Sequence, residues 1–487
     1  MFASIAISRY LLYALLLALF SCVAYFSLYQ LSESPPVWYD EGMILQLAEN
    51  VAHHGVMGLQ LAPGEYVSAG HVSTGFPVVF PVAASFYIFG VSIITARAVA
   101  VIFIFLLVIA GLYLLTRLQN KWYALSGAFF VATFPSLYGD GKSMLGEVPG
   151  LSFLLLFLFF LQKLEESDFK NVRYAILAGV FLGLTTVTKP LFLIVPVALG
   201  MVFLFRWRRT LSNVPALIWC SCAFSLPIIV WLATQFSFTD SATDILSFYA
   251  NPYRLTHLTD VMAMNFMRFF TESTPLYTLG ITACWAIALI IRKRKKQVIS
   301  YAEVCAFLFT LLVMFAYLRT PGWYRYLFPA DIVALFFLPF ALKTIFALPL
   351  SYTARLKTYE RPMVAVLLSL CILLQWYYLV FGSWIASTSQ YQITSTLERT
   401  LGSLDSKTSI FVFDAPAVVP FLLYDTYTQY FSAGGAWVAG EDSLVSLKNG
   451  VPDVVIMSAD AIPSAQKYLG HYTLPEGSDK YSILRHK

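Results

Sequence analysis

The chain has 487 residues, of which 59% are hydrophobic and only 12% charged, and its mean hydropathy is +0.71. A soluble globular protein carries about a quarter charged residues, so this composition excludes that class and indicates a polytopic membrane protein. The formal net charge is +5, but the basic residues cluster in short loops between apolar runs. That pattern is a topology signal, and it argues against a nucleic-acid partner.

About eleven apolar runs are long enough to span a bilayer as helices. They lie at roughly 10–31, 91–116, 122–139, 145–162, 174–188, 190–205, 213–235, 276–291, 299–318, 324–346 and 363–385. The first run is too long for a signal peptide and is not followed by a small-residue cleavage site, so we expect it to be the first transmembrane helix. All six cysteines lie in apolar runs, which implies neither a disulfide framework nor a zinc site.

The distribution of Lys and Arg predicts how the chain is oriented. The run 76–90 is short and contains Pro77 and Pro81, and if it spanned the membrane it would invert every later loop. With this run in the membrane interface, the basic clusters fall on the cytoplasmic side, as the positive-inside rule requires. The sequence therefore predicts a multi-pass inner-membrane protein with a cytoplasmic N-terminus and an outer loop, 32–90, that forms amphipathic interfacial helices.

The composition changes near residue 386, which divides the chain into a transmembrane domain, 1–385, and a C-terminal domain, 386–487. Buried strands are predicted at 409–414, 453–457 and 481–484, with a helix or turn after the first. Strands that alternate with helices indicate a small extracytoplasmic α/β domain with a largely parallel sheet. Asp414 ends a strand, where α/β folds bind ligands, but we interpret so small a domain as one that caps the membrane part or recruits an acceptor.

Two adjacent carboxylates, Asp40 and Glu41, follow the first apolar run where a spanning helix should leave the membrane. Placing a charged carboxylate at a membrane boundary costs free energy, so its presence there favours a functional role. Asp40 is also a suitable cap for a helix that continues through Met43–Ala48, and both interpretations can hold together. We treat Asp40 as the candidate catalytic base and Glu41 as a candidate acceptor- or sugar-binding residue. His71, later in the same loop, is a second candidate of that kind.

A second polar segment, Tyr138–Pro149, separates the third and fourth runs. Its Gly-Lys-Ser triplet is similar to the end of a phosphate-binding loop, but a serine stands where the first glycine belongs and no strand precedes it, which excludes that motif. Asp140, Lys142 and Glu147 remain at the same face as Asp40, and we treat Asp140 as a candidate acceptor- or sugar-binding residue and Glu147 as a candidate catalytic residue. The alternative to a functional role is that these polar residues cap helices around a tight glycine turn.

Several cations are predicted at the outer face, where the positive-inside rule disfavours them, so they need an anionic partner or a function. Lys189 lies between Thr188 and Pro190, Arg254 in an aromatic loop, and Arg325 between two tyrosines of which Tyr324 is the first. The alternative for this last segment is an aromatic belt with snorkelling arginines.

Carboxylates and isolated cations on one face are the two charge types needed to move a glycosyl group from a lipid phosphate to a hydroxyl. The acceptor hydroxyl must lose a proton, which needs a carboxylate within hydrogen-bond reach. The departing lipid phosphate gains negative charge, which fixed Arg and Lys side chains stabilise in a water-poor site. A single displacement of this kind inverts the anomeric centre, although the sequence does not exclude covalent catalysis.

The order of these segments resembles the GT-C superfamily of polyprenyl-phosphate-sugar glycosyltransferases, in particular bacterial aminoarabinose (lipid A) transferases and protein O-mannosyltransferases. The resemblance covers about the first 350 residues. The segments that carry it are Trp38–Gly42, Leu47–Asn50, Gly75–Pro77 with Phe89–Gly90 and Ala96–Arg97, Gly146–Pro149, Thr188–Pro190 and Arg325–Ala330.

The resemblance implies a catalytic role for Asp40 and the second acidic position for Glu147, where relatives often have Asp. It also implies that Lys189 and Arg325 approach the lipid phosphate, and we add Lys142, Arg254 and Tyr324 as candidate phosphate ligands. The segment around His71 departs from the family's pattern. Some superfamily members need a divalent metal and others do not, so no cofactor and no metal ligand is assigned.

The predicted partners are the membrane, a polyprenyl-phosphate-linked sugar donor and a lipid, glycan or protein acceptor. A transporter or flippase of lipid-linked saccharide is the alternative function, because it also needs apolar helices and phosphate-binding cations. A transporter should carry charges near the middle of broken helices and often has repeated halves. Here the charges collect at one face and no repeat is visible.

Overall fold

The computed structural model describes residues 2–207, 213–236, 243, 255–350, 360–383, 392–405, 407–422, 426–432, 438–473, 476–478 and 480–487. Helices dominate the first part of the chain. The first nine are α1 (Phe2–Leu28), α2 (Tyr39–His54), α3 (Phe76–Phe89), α4 (Ile93–Leu118), α5 (Lys121–Ala132), α6 (Ser136–Gly139), α7 (Glu147–Glu166), α8 (Val172–Thr188) and α9 (Ile194–Phe205). The next six are α10 (Val214–Gln235), α11 (Leu258–Thr271), α12 (Ser273–Arg294), α13 (Tyr301–Tyr317), α14 (Phe328–Leu350) and α15 (Glu360–Tyr377).

A helix lies in each of the eleven apolar runs, whereas α11 lies outside all of them. Seven helices within the described ranges are long and apolar enough to cross a membrane, and shorter apolar helices lie at 76–89, 172–188, 190–205 and 301–317. The chain is therefore a multi-pass helical membrane protein.

Helix α14 lies at the centre of the bundle. Every residue from Tyr326 to Pro339 is buried, and a helix that is apolar on all sides belongs inside a protein or membrane core. Trp285 of α12 stacks on Phe337 of α14, with ring centroids 4.3 Å apart. The short 3-10 turn Tyr324–Tyr326 precedes this central helix. The backbone of a residue in this turn is therefore connected to a buried helix.

The segment 32–90 differs from the expected surface helices. Helix α2 is buried from Glu41 to Asn50, because segments of the C-terminal domain cover the side that was expected to face water. A two-stranded antiparallel hairpin, β1 (Gly58–Ala62) and β2 (Glu65–Ser68), follows α2 and was not predicted. Its turn contains Pro63 and Gly64, a pair that is typical of turns.

The C-terminal domain contains a five-stranded sheet with strand order β4-β3-β5-β7-β6. Its strands are β3 (Ile410–Phe413), β4 (Tyr427–Tyr430), β5 (Val454–Ser458), β6 (Glu476–Ser478) and β7 (Tyr481–Arg485), with helices α16 (Gln392–Leu401), α17 (Ser443–Lys448) and α18 (Ile462–Ala465). The strand predictions for β3, β5 and β7 are confirmed. The sheet is mixed, since β3 pairs in parallel with β4 and β5, whereas β7 is antiparallel to β5 and β6.

Candidate active site

Asp40 and Arg325 form an ion pair at the start of two elements. Asp40 is the second residue of α2, and its Oδ2 lies 2.7 Å from Nη1 of Arg325 in the 324–326 turn. The Arg325 guanidinium also donates to the Tyr326 hydroxyl at 2.9 Å and lies 5.0 Å from the centroid of the Trp323 ring. Asp40 is 28% exposed and Arg325 16%, so a substrate can reach both side chains.

A second, buried ion pair joins Lys189 to Glu147. Gly146 precedes helix α7 with a φ of +94°, a left-handed conformation that glycine adopts readily, and this turn places Glu147 as the first helical residue. Lys189 lies at the break between α8 and the 3-10 turn Pro190–Leu193. Its Nζ donates to Oε1 of Glu147 and, at 2.9 Å, to the carbonyl of Leu145.

Asp140 connects the two ion pairs electrostatically. Burial and the charge of Glu147 raise the pKa of Asp140 to about 7, while the charges of Arg325 and Lys189 oppose that rise. Burial lowers the pKa of Lys189, against the attraction of Glu147 and Asp40. Asp40, Asp140, Glu147, Lys189 and Arg325 therefore act on one another, and we call these five residues the charged cluster.

The fold matches solved structures along almost its whole length. ArnT from Cupriavidus metallidurans bound to undecaprenyl phosphate aligns with a TM-score of 0.62 and 12% identity, over 96% of this chain and 97% of that one. This is the GT-C glycosyltransferase fold. The Archaeoglobus fulgidus oligosaccharyltransferase in complex with Zn and sulfate also shares the GT-C fold, with a TM-score of 0.58 and 15% identity, over 94% of this chain and 72% of that one.

Sequence comparison agrees over part of the chain. The sequence profile of the dolichyl-phosphate-mannose-protein mannosyltransferase family matches residues 76–233, which is less than half of the chain. Among curated proteins none matches this sequence. The resemblance to GT-C glycosyltransferases expected from the motifs is thus confirmed, and the matched segment 76–233 includes the candidate residues Asp140, Glu147 and Lys189.

Glu41, predicted to bind sugar or acceptor, forms a buried ion pair with Arg97. Both of its carboxylate oxygens accept hydrogen bonds from Arg97 of α4, at 3.0 and 2.8 Å, and both side chains are completely buried. Arg97 also donates to the carbonyl of Leu31. Successive residues of a helix point about 100° apart, so Asp40 and Glu41 contact different neighbours, and the Glu41 pair holds α2 against α4.

We expect Arg97→Met to lower the free energy of unfolding by about 3–5 kcal/mol, because it leaves the buried Glu41 carboxylate without its partner. The thermal midpoint of the purified protein in detergent measures this effect. The double variant Glu41→Gln/Arg97→Met should recover part of the loss, since it removes both charges. An Arg97→Met protein that unfolds at the wild-type temperature would contradict this structural role.

Two further candidates for phosphate binding are engaged elsewhere. Lys142 is fully buried, and its Nζ donates to the carbonyl of Tyr29 at 2.9 Å; burial and the charge of Arg97 lower its pKa to about 7. The Tyr324 hydroxyl donates at 2.7 Å to Asp331, a completely buried carboxylate in α14. In the structure Lys142 therefore contacts the end of the first apolar run, and Tyr324 links the turn that carries Arg325 to α14.

Two candidates remain, His71 and Arg254. His71 is half-buried at the end of the 3-10 turn Ala69–His71, and Gln235 of α10 donates to carbonyl oxygens on either side of it, those of Ala69 and Val72. Arg254 lies outside the described residues.

The carboxylates Asp40 and Glu147 of the charged cluster are both paired with cations. Within the described ranges no three His, Cys, Asp or Glu side chains are grouped so that they could hold an ion. Asp40 and Glu147 each bind a cationic side chain instead. Arg325 and Lys189 are the positive charges that the structure places in the charged cluster.

Sequence reasoning missed the partners that orient the cluster. The motifs include Arg97 only within the segment Ala96–Arg97 and do not include Asp331, although a lone carboxylate inside an apolar run is a functional or structural signal by itself. The contact from Tyr39 to Asp414 at 2.7 Å joins residues 375 positions apart, and no local pattern indicates it.

Proposed function

We propose that this protein transfers a sugar from a polyprenyl-phosphate donor to a hydroxyl of a lipid, glycan or protein acceptor. The observation that supports this most directly is the accessible Asp40–Arg325 pair beside the buried Lys189. It brings one candidate base and two candidate phosphate ligands to the same site of a GT-C fold. Polyprenyl phosphates are bound in structures of that fold, undecaprenyl phosphate in ArnT and dolichol phosphate in the Archaeoglobus AglB complex.

Arg325 and Lys189 have different roles in our proposal. The guanidinium of Arg325 offers a planar set of donors that matches phosphate oxygens, and it is the more exposed of the two cations. Lys189 is only 5% exposed, so its charge acts in a medium of low dielectric constant, where it stabilises the departing phosphate more strongly than it would in water.

In this proposal, binding of the donor phosphate to Arg325 also releases the Asp40 carboxylate from its ion pair. In the structure Asp40 is bound to Arg325. A phosphate that takes donors of Arg325 leaves the Asp40 carboxylate free to accept the proton of the acceptor hydroxyl. The hydroxyl oxygen then bonds to the anomeric carbon as the bond to the phosphate oxygen breaks, and polyprenyl phosphate leaves with the bonding electrons. With base and phosphate on opposite sides of the sugar, the product is inverted.

The transfer is proposed for the outer side of the cytoplasmic membrane, with eleven spanning helices and a cytoplasmic N-terminus. The charged cluster lies where α7 begins, α8 ends and α14 begins. Two other ion pairs, Glu165 with Arg206 at 3.7 Å and Arg292 with Glu303 at 2.5 Å, join helices at the opposite end, next to the basic loops. The positive-inside rule assigns that end to the cytoplasm, and the domain 386–487 to the outside.

The test supplies purified protein with radiolabelled polyprenyl-phosphate sugars and an extract of envelope acceptors. The proposal expects the label to leave the lipid, and the anomeric configuration of the product, read from its NMR coupling constants, to be opposite to that of the donor. Retention of configuration would exclude the single displacement, and a label that stays on the lipid would exclude the transferase.

Asp140 gives the proposed site a pH dependence. Because its pKa is raised to about 7, Asp140 gains its negative charge as the pH rises through 7, next to the cations that hold the phosphate. The sugar-linked phosphate is a diester and keeps one charge throughout. We therefore expect the donor dissociation constant to rise about three- to tenfold between pH 6 and pH 8.

Equilibrium binding of the labelled donor at both pH values measures this change. In Asp140→Asn the dissociation constant should be the same at both pH values, because the titrating charge is gone. An undiminished pH dependence in that variant would show that another group titrates.

A further inference from the structure

Helix α2 is held on three sides, and only one of them is the charged cluster. Glu41 faces Arg97 of α4, and Asp40 faces Arg325. The third side, which carries Tyr39, Gly42 and Gln46, faces the C-terminal domain. These positions follow the helical spacing of three and four residues and therefore share one face.

Contacts along this third side are close and directional. The Tyr39 hydroxyl donates to Oδ1 of Asp414 at 2.7 Å, and the Gln46 amide donates to the Tyr427 hydroxyl at 2.6 Å. Between them, the backbone of Gly42 lies so near the C-terminal domain that a Cβ there would be 2.2 Å from the carbonyl oxygen of Pro416. The helix that carries the candidate base is therefore seated on the C-terminal domain.

Backbone and side-chain hydrogen bonds fix the position of Asp414. It directly follows β3, and its φ of +48° is in the left-handed region, which Asp tolerates better than most residues. Its backbone N–H donates to Tyr430 at 2.8 Å, while the N–H and hydroxyl of Ser432 donate to its carboxylate at 3.0 and 2.5 Å. The carboxylate thus presents a fixed acceptor to Tyr39.

The first turn of α2 has no side-chain cap of its own. Trp38 occupies the N-cap position and makes no capping hydrogen bond, although such caps commonly stabilise a helix start. Tyr39 is the first helical residue and directly precedes Asp40. A hydrogen bond from Tyr39 to a rigid acceptor restricts the rotation of this turn, and that rotation decides where the Asp40 carboxylate points.

We propose that the C-terminal domain orients the candidate base, with Asp414 and Tyr39 as positioning residues that keep Asp40 at its catalytic angle. This inference rests on the proposed function for its catalytic readout. It gives the C-terminal domain a role in the rate of transfer that is separate from acceptor recruitment.

The test compares Tyr39→Phe, Asp414→Ala and Asp414→Asn with the wild type in the transfer assay. We expect kcat to fall about tenfold in Tyr39→Phe and in Asp414→Ala, as for the loss of one hydrogen bond to a charged group. Donor affinity should stay within about twofold, because Lys189 and Arg325 are untouched. Asp414→Asn should restore kcat, since its amide retains an acceptor for Tyr39. The double variant Tyr39→Phe/Asp414→Ala should be no slower than either single variant.

Asp453→Asn is the matched control, because Asp453 lies in the same domain and accepts the same pair of hydrogen bonds, from the N–H and hydroxyl of Ser409 at 2.8 Å each. Its kcat should equal that of the wild type. Amide hydrogen exchange over residues 39–46 supplies a readout that needs no substrate, and it should be faster in Tyr39→Phe and Asp414→Ala only.

An unchanged kcat in Tyr39→Phe and Asp414→Ala would overturn the proposal, whatever their amide exchange. Equal losses in Asp414→Asn and Asp414→Ala would also overturn it, since the hydrogen-bond acceptor would then be irrelevant. If the wild type transfers no sugar, the proposed function fails by itself. Amide exchange then decides the positioning role alone, and unchanged exchange in both variants overturns it.

Discussion

Replacing Asp40 by Asn is expected to slow sugar transfer by about 10²- to 10⁴-fold, the usual contribution of a general base. Asn has nearly the same shape as Asp but cannot take the acceptor proton. Donor binding should be at least as tight as in the wild type, because the variant removes the carboxylate that competes with phosphate for Arg325. Single-turnover transfer and equilibrium binding of the labelled donor measure the two effects separately.

Asp442→Asn is a suitable control for this change, since Asp442 is exposed and precedes α17 without a capping hydrogen bond. It should transfer at the wild-type rate. An Asp40→Asn protein that keeps full transfer activity would refute the assignment of the base. A variant that loses donor binding as strongly as transfer would indicate that Asp40 contributes to binding instead.

Loss of the Lys189 charge is expected to weaken donor binding about 10- to 100-fold, as for a charge-assisted hydrogen bond in a buried site. Lys189→Met alone would also strand the buried Glu147 carboxylate, which destabilises a protein. The measurement therefore uses Glu147→Gln/Lys189→Met against Glu147→Gln alone, so that both proteins lack the buried anion. The quantity compared is the equilibrium dissociation constant of the polyprenyl-phosphate sugar.

Lys163→Met provides the control for removing a lysine from an ion pair. Lys163 lies 3.5 Å from Glu166 on the last turn of α7, at the opposite end of the bundle, and its side chain is 18% exposed. Its donor affinity should match that of the wild type. Equal donor affinity in Glu147→Gln and in Glu147→Gln/Lys189→Met would rule out Lys189 as a phosphate ligand.

The sequence predicted most where the membrane restricts which residues a segment can contain. Long apolar segments must match the thickness of the hydrocarbon layer, so each apolar run in the first 385 residues indicated a helix, and a helix is present in each. Charges are rare in such a chain, so those that remained at one end of the helices pointed to Asp40, Asp140, Glu147, Lys189 and Arg325. These five residues do interact in the structure.

Charge and position in the sequence did not distinguish adjacent residues that contact different partners in the structure. Asp40 and Glu41 are equivalent by composition, yet one meets Arg325 and the other Arg97, because a helix turns them about 100° apart. Lys142 was grouped with Lys189 for its sidedness, but it binds the carbonyl of Tyr29. Only the tertiary contacts of each side chain separate these cases.

The outer loop was misjudged for a related reason. Alternating apolar and polar residues predicted helices on a membrane surface, but the polar side of α2 is covered by protein. Gln46 and Gln60 illustrate this, since their amides donate to the hydroxyl and the carbonyl of Tyr427, respectively. A polar residue that bonds to another domain has the same pattern in sequence as one that bonds to water.

The most direct test of the proposed function reconstitutes the purified protein in vesicles whose outer leaflet carries a radiolabelled polyprenyl-phosphate sugar, with acceptor extract outside. We expect the label to pass to the acceptor while one polyprenyl phosphate accumulates for each sugar transferred. Label that remains on the lipid and moves to the inner leaflet would contradict the transferase and identify a transporter.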